Sequence, residues 1–190
     1  MMSGHLIYIV GASGAGKDSI LSQCRSQLIE LNTGIAHRYI TRPASATGEN
    51  HIALSTSEFG CRKNRQLFKF DWQANGFHYA IGCEVDAWLA SGLNVIVNGS
   101  RGYLSRAQQL HRQLTVIYID VDTDCLRERL LARGRESNAA IEQRLNRHQQ
   151  LAKETVADAY RINNSGDLNS ACDELLALIR NLGGSFASQL

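Results

Sequence analysis

The chain is short of several things, and each shortage excludes a class. Its 190 residues contain no apolar run long enough for a transmembrane helix, which needs about 20 residues. The apolar pattern begins within the first few residues, so no signal peptide is expected and a cytoplasmic protein is. The five cysteines (Cys24, Cys61, Cys83, Cys125, Cys172) are odd in number, widely spaced and without a CxxC pair. That spacing argues against a zinc ribbon or a disulfide framework and fits a reducing compartment. Charge is nearly balanced at +2, which gives no case for nucleic acid or a membrane surface as partner, although basic residues can still gather at one site. There is a single proline, Pro43, and there is no internal repeat or low-complexity segment. What remains, 44% hydrophobic and 20% charged, is the composition of a folded soluble protein. Its length suits one α/β domain with small inserted lobes.

The most informative stretch is Gly11-Ala12-Ser13-Gly14-Ala15-Gly16-Lys17-Asp18-Ser19. It follows the apolar run Leu6–Val10 and precedes a helical pattern with Ile20, Leu21, Cys24 and Leu28 on one face. A buried strand, a glycine-rich loop and a helix start, in that order, make a phosphate cradle. Lys17 can reach the β- and γ-phosphates of a nucleotide such as ATP. The residue after the lysine is ordinarily Ser or Thr, whose hydroxyl ligates Mg²⁺. Here it is Asp18. Its carboxylate either takes part in holding Mg²⁺ or favours the positive end of the helix dipole.

Further along, strands and helices alternate. A first helix is expected to reach about Leu31, and Ile35 to Thr41 reads as extended. Pro43 ends regular structure, and a polar loop covers Ala44 to Asn50. A short strand at His51–Leu54 leads to a helix capped by Ser55-Thr56-Ser57 with Glu58. Two aromatic strands, Leu67–Trp72 and Phe77–Ile81, flank Asn75-Gly76 as a hairpin. Residues 35–82 therefore read as a lobe inserted into a βαβ repeat. The repeat resumes with a helix at Glu84–Ala90, a strand at Leu93–Val97, a helix near Leu104–Arg112 and a strand at Leu114–Asp120. Helical, arginine-rich sequence follows from Thr123, breaks at Gly134 and restarts near Ser137, running to about Tyr160. A strand at Arg161–Asn163 and a helix from Leu168 to about Leu182 close the chain, with a frayed tail expected beyond. Such alternation implies a parallel sheet with helices on both faces, and a ligand crevice at the carboxyl ends of its strands. Lys17, Asn98 and Asp120 sit at such ends.

The second cluster is Leu126–Ser137 with Arg144 and Arg147. Arginine forks stabilise the charge spread over a transferring phosphoryl group. Arginines around a glycine hinge also suit a lid that closes and expels water. Beside a phosphate loop, Arg133 and Arg144 are the candidate phosphate contacts.

In order and spacing, the phosphate loop, Thr41-Arg42-Pro43, Gly48-Glu49, the Tyr79 segment and Arg133-Gly134 through Arg144-Leu145 resemble the nucleoside monophosphate kinases, and among them the guanylate kinase branch. Asn164 through Leu168 resembles that branch's C-terminal signature near the adenine. The resemblance implies a three-layer α/β/α P-loop fold with a five-stranded parallel core (1–34, 83–125 and 159–184), an acceptor-binding lobe (about 35–82) and a helical lid (about 126–150). It also implies ATP as phosphoryl donor and Mg²⁺ as cofactor.

The departures point further. The second arginine expected after Pro43 is absent, the tyrosine near His51 is missing, and Ala80-Ile81 stands where a hydroxyl would read guanine. A guanine-reading carboxylate survives at most as Asp71, and an aspartate at the end of the third core strand has become Asn98. New basic residues are Arg38 and Arg101. Unpaired polar groups are costly, so such a site should bind GMP poorly. These changes, with Gly-Lys-Asp-Ser and Val-Asn-Gly-Ser-Arg, closely resemble the ribose 1,5-bisphosphate phosphokinases of bacterial phosphonate breakdown. That likeness implies transfer of the ATP γ-phosphoryl group to the 1-phosphate of ribose 1,5-bisphosphate, giving 5-phosphoribosyl 1-diphosphate. The implied donor residues are Gly11 through Ser19, Arg133, Arg144 and Asn164. On the acceptor side they are Arg38, Arg42, Asp71, Tyr79, Asn98, Ser100 and Arg101, although Arg101 reads equally as a surface turn residue. The rival readings are a guanylate kinase and a non-catalytic interaction module. Such modules typically lose the loop lysine, and Lys17 is retained. The partners expected are small molecules, and the sequence does not reveal the oligomeric state.

Overall fold

The computed structural model describes residues 3–43, 51–134, 137–153 and 159–184, with the side chains of Arg133, of 147–153 and of 183–184 outside that description. The polar loop with Gly48-Glu49, the Arg133 and Arg147 side chains and the tail from Ser185 therefore lie outside the described residues.

The strands are β1 (Leu6–Gly11), β2 (Thr33–Ile35), β3 (Arg38–Ile40), β4 (His51–Ala53), β5 (Phe68–Ala74), β6 (Phe77–Gly82), β7 (Asn94–Asn98), β8 (Thr115–Asp120) and β9 (Tyr160–Asn163). The helices are α1 (Lys17–Gln23), α2 (Arg25–Glu30), α3 (Thr56–Asn64), α4 (Glu84–Ala90), α5 (Leu104–Leu110), α6 (Thr123–Arg133), α7 (Asn138–Lys153) and α8 (Leu168–Gly184). A five-stranded sheet runs β2-β7-β1-β8-β9, and a four-stranded sheet runs β4-β3-β6-β5. This is the α/β architecture that the alternating pattern predicts, with the five-stranded core that the resemblance implies. The central strands β1, β7 and β8 are buried along nearly their whole length, as expected for parallel strands covered on both sides, whereas the edge strand β9 is mostly exposed.

The chain divides into two compact units, residues 1–8 with 25–115 and residues 9–24 with 116–190. In the first, β2 runs parallel to β7, pairing Gly34 with Val95. The smaller sheet has β3 parallel to β4 and antiparallel to β6. Its hairpin closes through Asn75 and Gly76, both at positive φ, which a two-residue turn between twisted strands requires. Ser55 caps α3 by accepting from the Glu58 N–H at 3.1 Å. Leu54, Phe59 and Ala80 form a small core under that helix, with Tyr39 and Phe68 packed against it.

In the second unit, β8 and β9 are parallel, with Asp120 opposite Asn163. The single helix expected from Lys17 to Leu31 is interrupted at Cys24. The Ile20 carbonyl accepts from both the Cys24 N–H at 3.1 Å and the Cys24 thiol at 2.9 Å. A side chain that bonds back to the i−4 carbonyl bends a helix, and here the helix stops. Tyr160, expected at a helix end, opens β9 instead, and α7 is described over Asn138–Lys153. Gly134 ends α6 in the left-handed conformation, as its glycine predicts.

Candidate active site

The phosphate loop lies in the second unit. Lys17 donates from Nζ to the carbonyls of Gly11 at 3.1 Å and Ala12 at 2.9 Å, so its ammonium lies folded over the loop. Gly16 caps α1 at φ 87°. A Cβ there would run into the Asn164 amide and come 3.6 Å from the Arg129 NH1. At Gly14, φ is 103° and a Cβ would come 2.8 Å from Leu126 Cδ1. These two glycines are therefore required both by conformation and by close approach.

Three groups converge on this loop. Asn164, 2% exposed, donates from Nδ2 to the Ala15 carbonyl at 2.7 Å. Arg144, on α7, donates from NH1 to Ser13 Oγ at 3.1 Å. Arg129, on α6, brings its NH1 beside Gly16. The Arg129 NH1 and the Asn164 Oδ1 are buried with no hydrogen-bond partner among the described residues. Unsatisfied buried polar atoms are costly, and a donor and an acceptor left open at one glycine loop fit a polar ligand such as a nucleotide. Arg127 and Glu142 form an ion pair that ties α6 to α7. Asp18 and Ser19 are exposed at the start of α1.

The acceptor candidates lie in the first unit, where strand register sorts them. Arg38 pairs with Ile81, and Ile40 with Tyr79. Phe70 pairs with Ile81, and Trp72 with Tyr79. Alternation along the strands therefore puts Arg38, Tyr79, Ile81, Phe70 and Trp72 on one face. Asp71 pairs with Ala80 and points to the opposite face, under α3, where it is ion-paired with Lys63. The sequence grouped Asp71 with Arg38 and Tyr79, and the register separates them. The hairpin register sets this: counted back from the Asn75-Gly76 turn, Trp72 falls opposite Tyr79 and Asp71 opposite Ala80, one residue off the Tyr79 face.

The Asn98–Arg101 turn meets the face of Arg38 and Tyr79. The Tyr103 ring lies 6.2 Å from Phe70 and 5.9 Å from Trp72, and the Tyr8 ring packs edge-on against Phe70 at 5.9 Å. The Tyr8 hydroxyl accepts from the Ser100 N–H at 3.1 Å and donates to the Ser100 carbonyl at 3.3 Å. A Cβ on Gly99 would overlap the Tyr8 ring, so the turn needs glycine there. Burial pushes the Tyr8 phenol well above its usual pKa, which keeps it neutral and able to donate. Asn98 is 3% exposed, and Ser100 and Arg101 are half-buried. Arg42 lies just past β3, its guanidinium 6.0 Å from the centre of the Phe77 ring. Its carbonyl is within 3.2 Å of His51 Nε2, which pins the backbone.

No family model matches the chain. Individual proteins do. A ribose 1,5-bisphosphate phosphokinase of Desulfomicrobium baculatum is 50% identical over 175 residues, covering 92% of this chain and 93% of that protein. One from Psychromonas ingrahamii is 47% identical over 178 residues, 94% and 91% of the two chains. One from Klebsiella pneumoniae subsp. pneumoniae is 43% identical over 190 residues, the full length of both. The chain belongs to the ribose 1,5-bisphosphate phosphokinase family. A guanylate kinase of Anaplasma phagocytophilum superposes with a TM-score of 0.72 at 14% identity, covering 95% of this chain and 86% of that one. At that identity the likeness is one of fold.

In this phosphokinase chain the structure singles out Arg129, which the sequence left among several arginines of one helix. Its distinguishing signal is spatial: its NH1 is buried beside Gly16. Among the described residues no helix is long and apolar enough to cross a membrane, and no three His, Cys, Asp or Glu side chains cluster as metal ligands.

Proposed function

We propose that the protein transfers the γ-phosphoryl group of ATP to the 1-phosphate of ribose 1,5-bisphosphate, giving 5-phosphoribosyl 1-diphosphate and ADP. The observation that carries this reading is the face of the smaller sheet. The place where a base would need polar partners holds Phe70 and Ile81, both fully buried, while Arg38 lies beside them and Arg101 on the turn above. That is a site for an acceptor defined by its charged groups. The attacking atom is an oxygen of the 1-phosphate, already a nucleophile at neutral pH. It forms the new P–O bond as the bond from the γ-phosphorus to the ADP oxygen breaks, so no general base is needed. Catalysis is positioning and neutralisation of charge.

Lys17, Arg144 and Arg129 act on the ATP side, and Arg133 completes that set on its place in the sequence. Asn164 and the backbone of Gly11 through Ser19 hold the nucleotide. Arg38, Arg42, Tyr79, Asn98, Ser100 and Arg101 act on the acceptor. Asp71 is left to the ion pair with Lys63. Asp18 is suited to Mg²⁺, because an exposed carboxylate beside the loop leaves the remaining positions to phosphate oxygens and water, the usual Mg²⁺ shell. Bound there, Mg²⁺ would supply charge neutralisation for the transferring phosphoryl group. The whole chain acts as one kinase, with the lobe and lid as bounded by the sequence, in the cytoplasm.

An acceptor panel tests the reading: GMP, AMP, ribose 5-phosphate and ribose 1,5-bisphosphate, each with ATP and Mg²⁺. Ribose 1,5-bisphosphate is expected to be the preferred acceptor. Equal or better turnover of GMP makes the protein a guanylate kinase. Failure to bind or hydrolyse ATP makes it an interaction module.

A further inference from the structure

We propose that Trp72, backed by Tyr79 and Tyr103, forms the wall of the acceptor half-site against which the sugar ring packs, and that this wall favours a base-free sugar phosphate over a nucleotide. The inference rests on the phosphokinase reading and deepens it. Trp72 lies flat on Tyr79, with ring planes 7° apart and centroids at 5.6 Å. Tyr103 meets the same indole at 5.9 Å, tilted by 33°. The indole thus stands on the face that carries Arg38 and packs against Tyr103, which follows the turn that carries Ser100 and Arg101. Phe70 and Ile81 next to it are sealed from solvent, whereas Trp72 and Tyr103 are only half-buried. Trp72 and Tyr103 are therefore the accessible part of the aromatic cluster. The face of an aromatic ring carries negative potential and attracts the weakly positive C–H groups of a pentose. The polar edge of a nucleobase needs donors and acceptors, and the positions beside the indole carry Phe70 and Ile81, whose sealed apolar side chains send no polar group to a base. Trp72 thus links the charged ends of the half-site by a surface that grips a sugar through its C–H face.

The wall has an equilibrium readout independent of turnover. Trp72 and Trp88 are the only tryptophans, and Trp88 lies on α4, so in a Trp88→Phe background the indole emission reports Trp72 alone. Titration with ribose 1,5-bisphosphate without ATP is expected to change that emission saturably, and inorganic phosphate at the same concentration is not. In steady state, Trp72→Ala is expected to raise the KM for ribose 1,5-bisphosphate about tenfold and leave the KM for ATP unchanged. Trp72→Phe, which keeps a ring, should show a smaller rise. The kcat/KM for GMP relative to that for ribose 1,5-bisphosphate should increase in Trp72→Ala. If Trp72→Ala does not fold, Trp72→Phe and the titration decide. Flat emission at saturating acceptor, or an unchanged acceptor KM in a folded variant, overturns the wall while the phosphokinase reading stands. A wild-type protein that forms no 5-phosphoribosyl 1-diphosphate overturns that reading, and the wall with it.

Discussion

Asn164 donates its amide hydrogen to the Ala15 carbonyl at 2.7 Å, which ties the end of β9 to the phosphate loop. The oxygen of the same amide is buried and open to a ligand donor. Asn164→Ala removes the tie and leaves a buried carbonyl unsatisfied. It is expected to weaken binding of a non-hydrolysable ATP analogue about tenfold by calorimetry and to lower the Tm by several degrees. Unchanged affinity would reduce Asn164 to a structural strut.

Lys17 hydrogen-bonds the carbonyls of Gly11 and Ala12, two groups of its own loop. Its ammonium is thus held over the loop, where the proposed reading puts the phosphate charge. Lys17→Ala should leave a folded protein with less than about a tenth of wild-type turnover, since comparable phosphate-stabilising charges have large effects. Retention of more turnover than that overturns the assignment.

Asp18 is the next residue and departs from the usual hydroxyl. If it belongs to the metal shell, Asp18→Ala raises the Mg²⁺ concentration needed for half-maximal rate. An unchanged requirement, with ATP affinity intact, assigns Asp18 to the helix start instead.

Much of this was legible in sequence because it is local. Asn75-Gly76 between aromatic runs specifies a hairpin, Ser55 with Glu58 specifies a helix cap, and the glycine-lysine loop specifies its own backbone. What was not legible depends on register or on distant partners. The resemblance puts the Asp71 carboxylate on the acceptor side, whereas the pairing fixed by the Asn75-Gly76 turn sets it opposite Ala80, on the other face from Tyr79. No residue between Lys17 and Leu31 is a helix breaker, yet α1 stops at Cys24, whose thiol shares the Ile20 carbonyl with its own backbone N–H. Arg129 resembles its neighbours in sequence, and only the packing of α6 beside Gly16 sets it apart.

Burial raises the pKa of Cys24 to about 12, with the neighbouring Cys172 adding to the shift, and burial also raises that of Cys172. A raised pKa leaves less thiolate at any given pH, and thiolate is the reactive form. At about pH 8, iodoacetamide should therefore label the exposed Cys61 and Cys83 in the native protein and spare Cys24 and Cys172. Peptide mass spectrometry reads the sites. Equal labelling of Cys24 under native conditions contradicts its buried place between Ile20 and α8.

Acceptor choice is the sharpest test of the two arginine positions. Arg42 follows β3 with its guanidinium over Phe77, and Arg101 opens the turn that Tyr8 clamps through Ser100. Loss of a charge-assisted arginine–phosphate contact costs about 1.5–3 kcal/mol. Arg42→Ala and Arg101→Ala should therefore each lower kcat/KM for ribose 1,5-bisphosphate by roughly 10- to 100-fold. The KM for ATP should change much less, because the nucleotide-binding groups belong to the other unit. Ribose 5-phosphate lacks the accepting phosphate and should be a competitor without turnover. Its inhibition constant should rise in whichever variant loses the 5-phosphate contact, which assigns each arginine to one end of the sugar. If Arg101→Ala alters the KM for ATP and leaves the acceptor untouched, Arg101 is no acceptor ligand. The two-ended recognition of the bisphosphate then fails at that end.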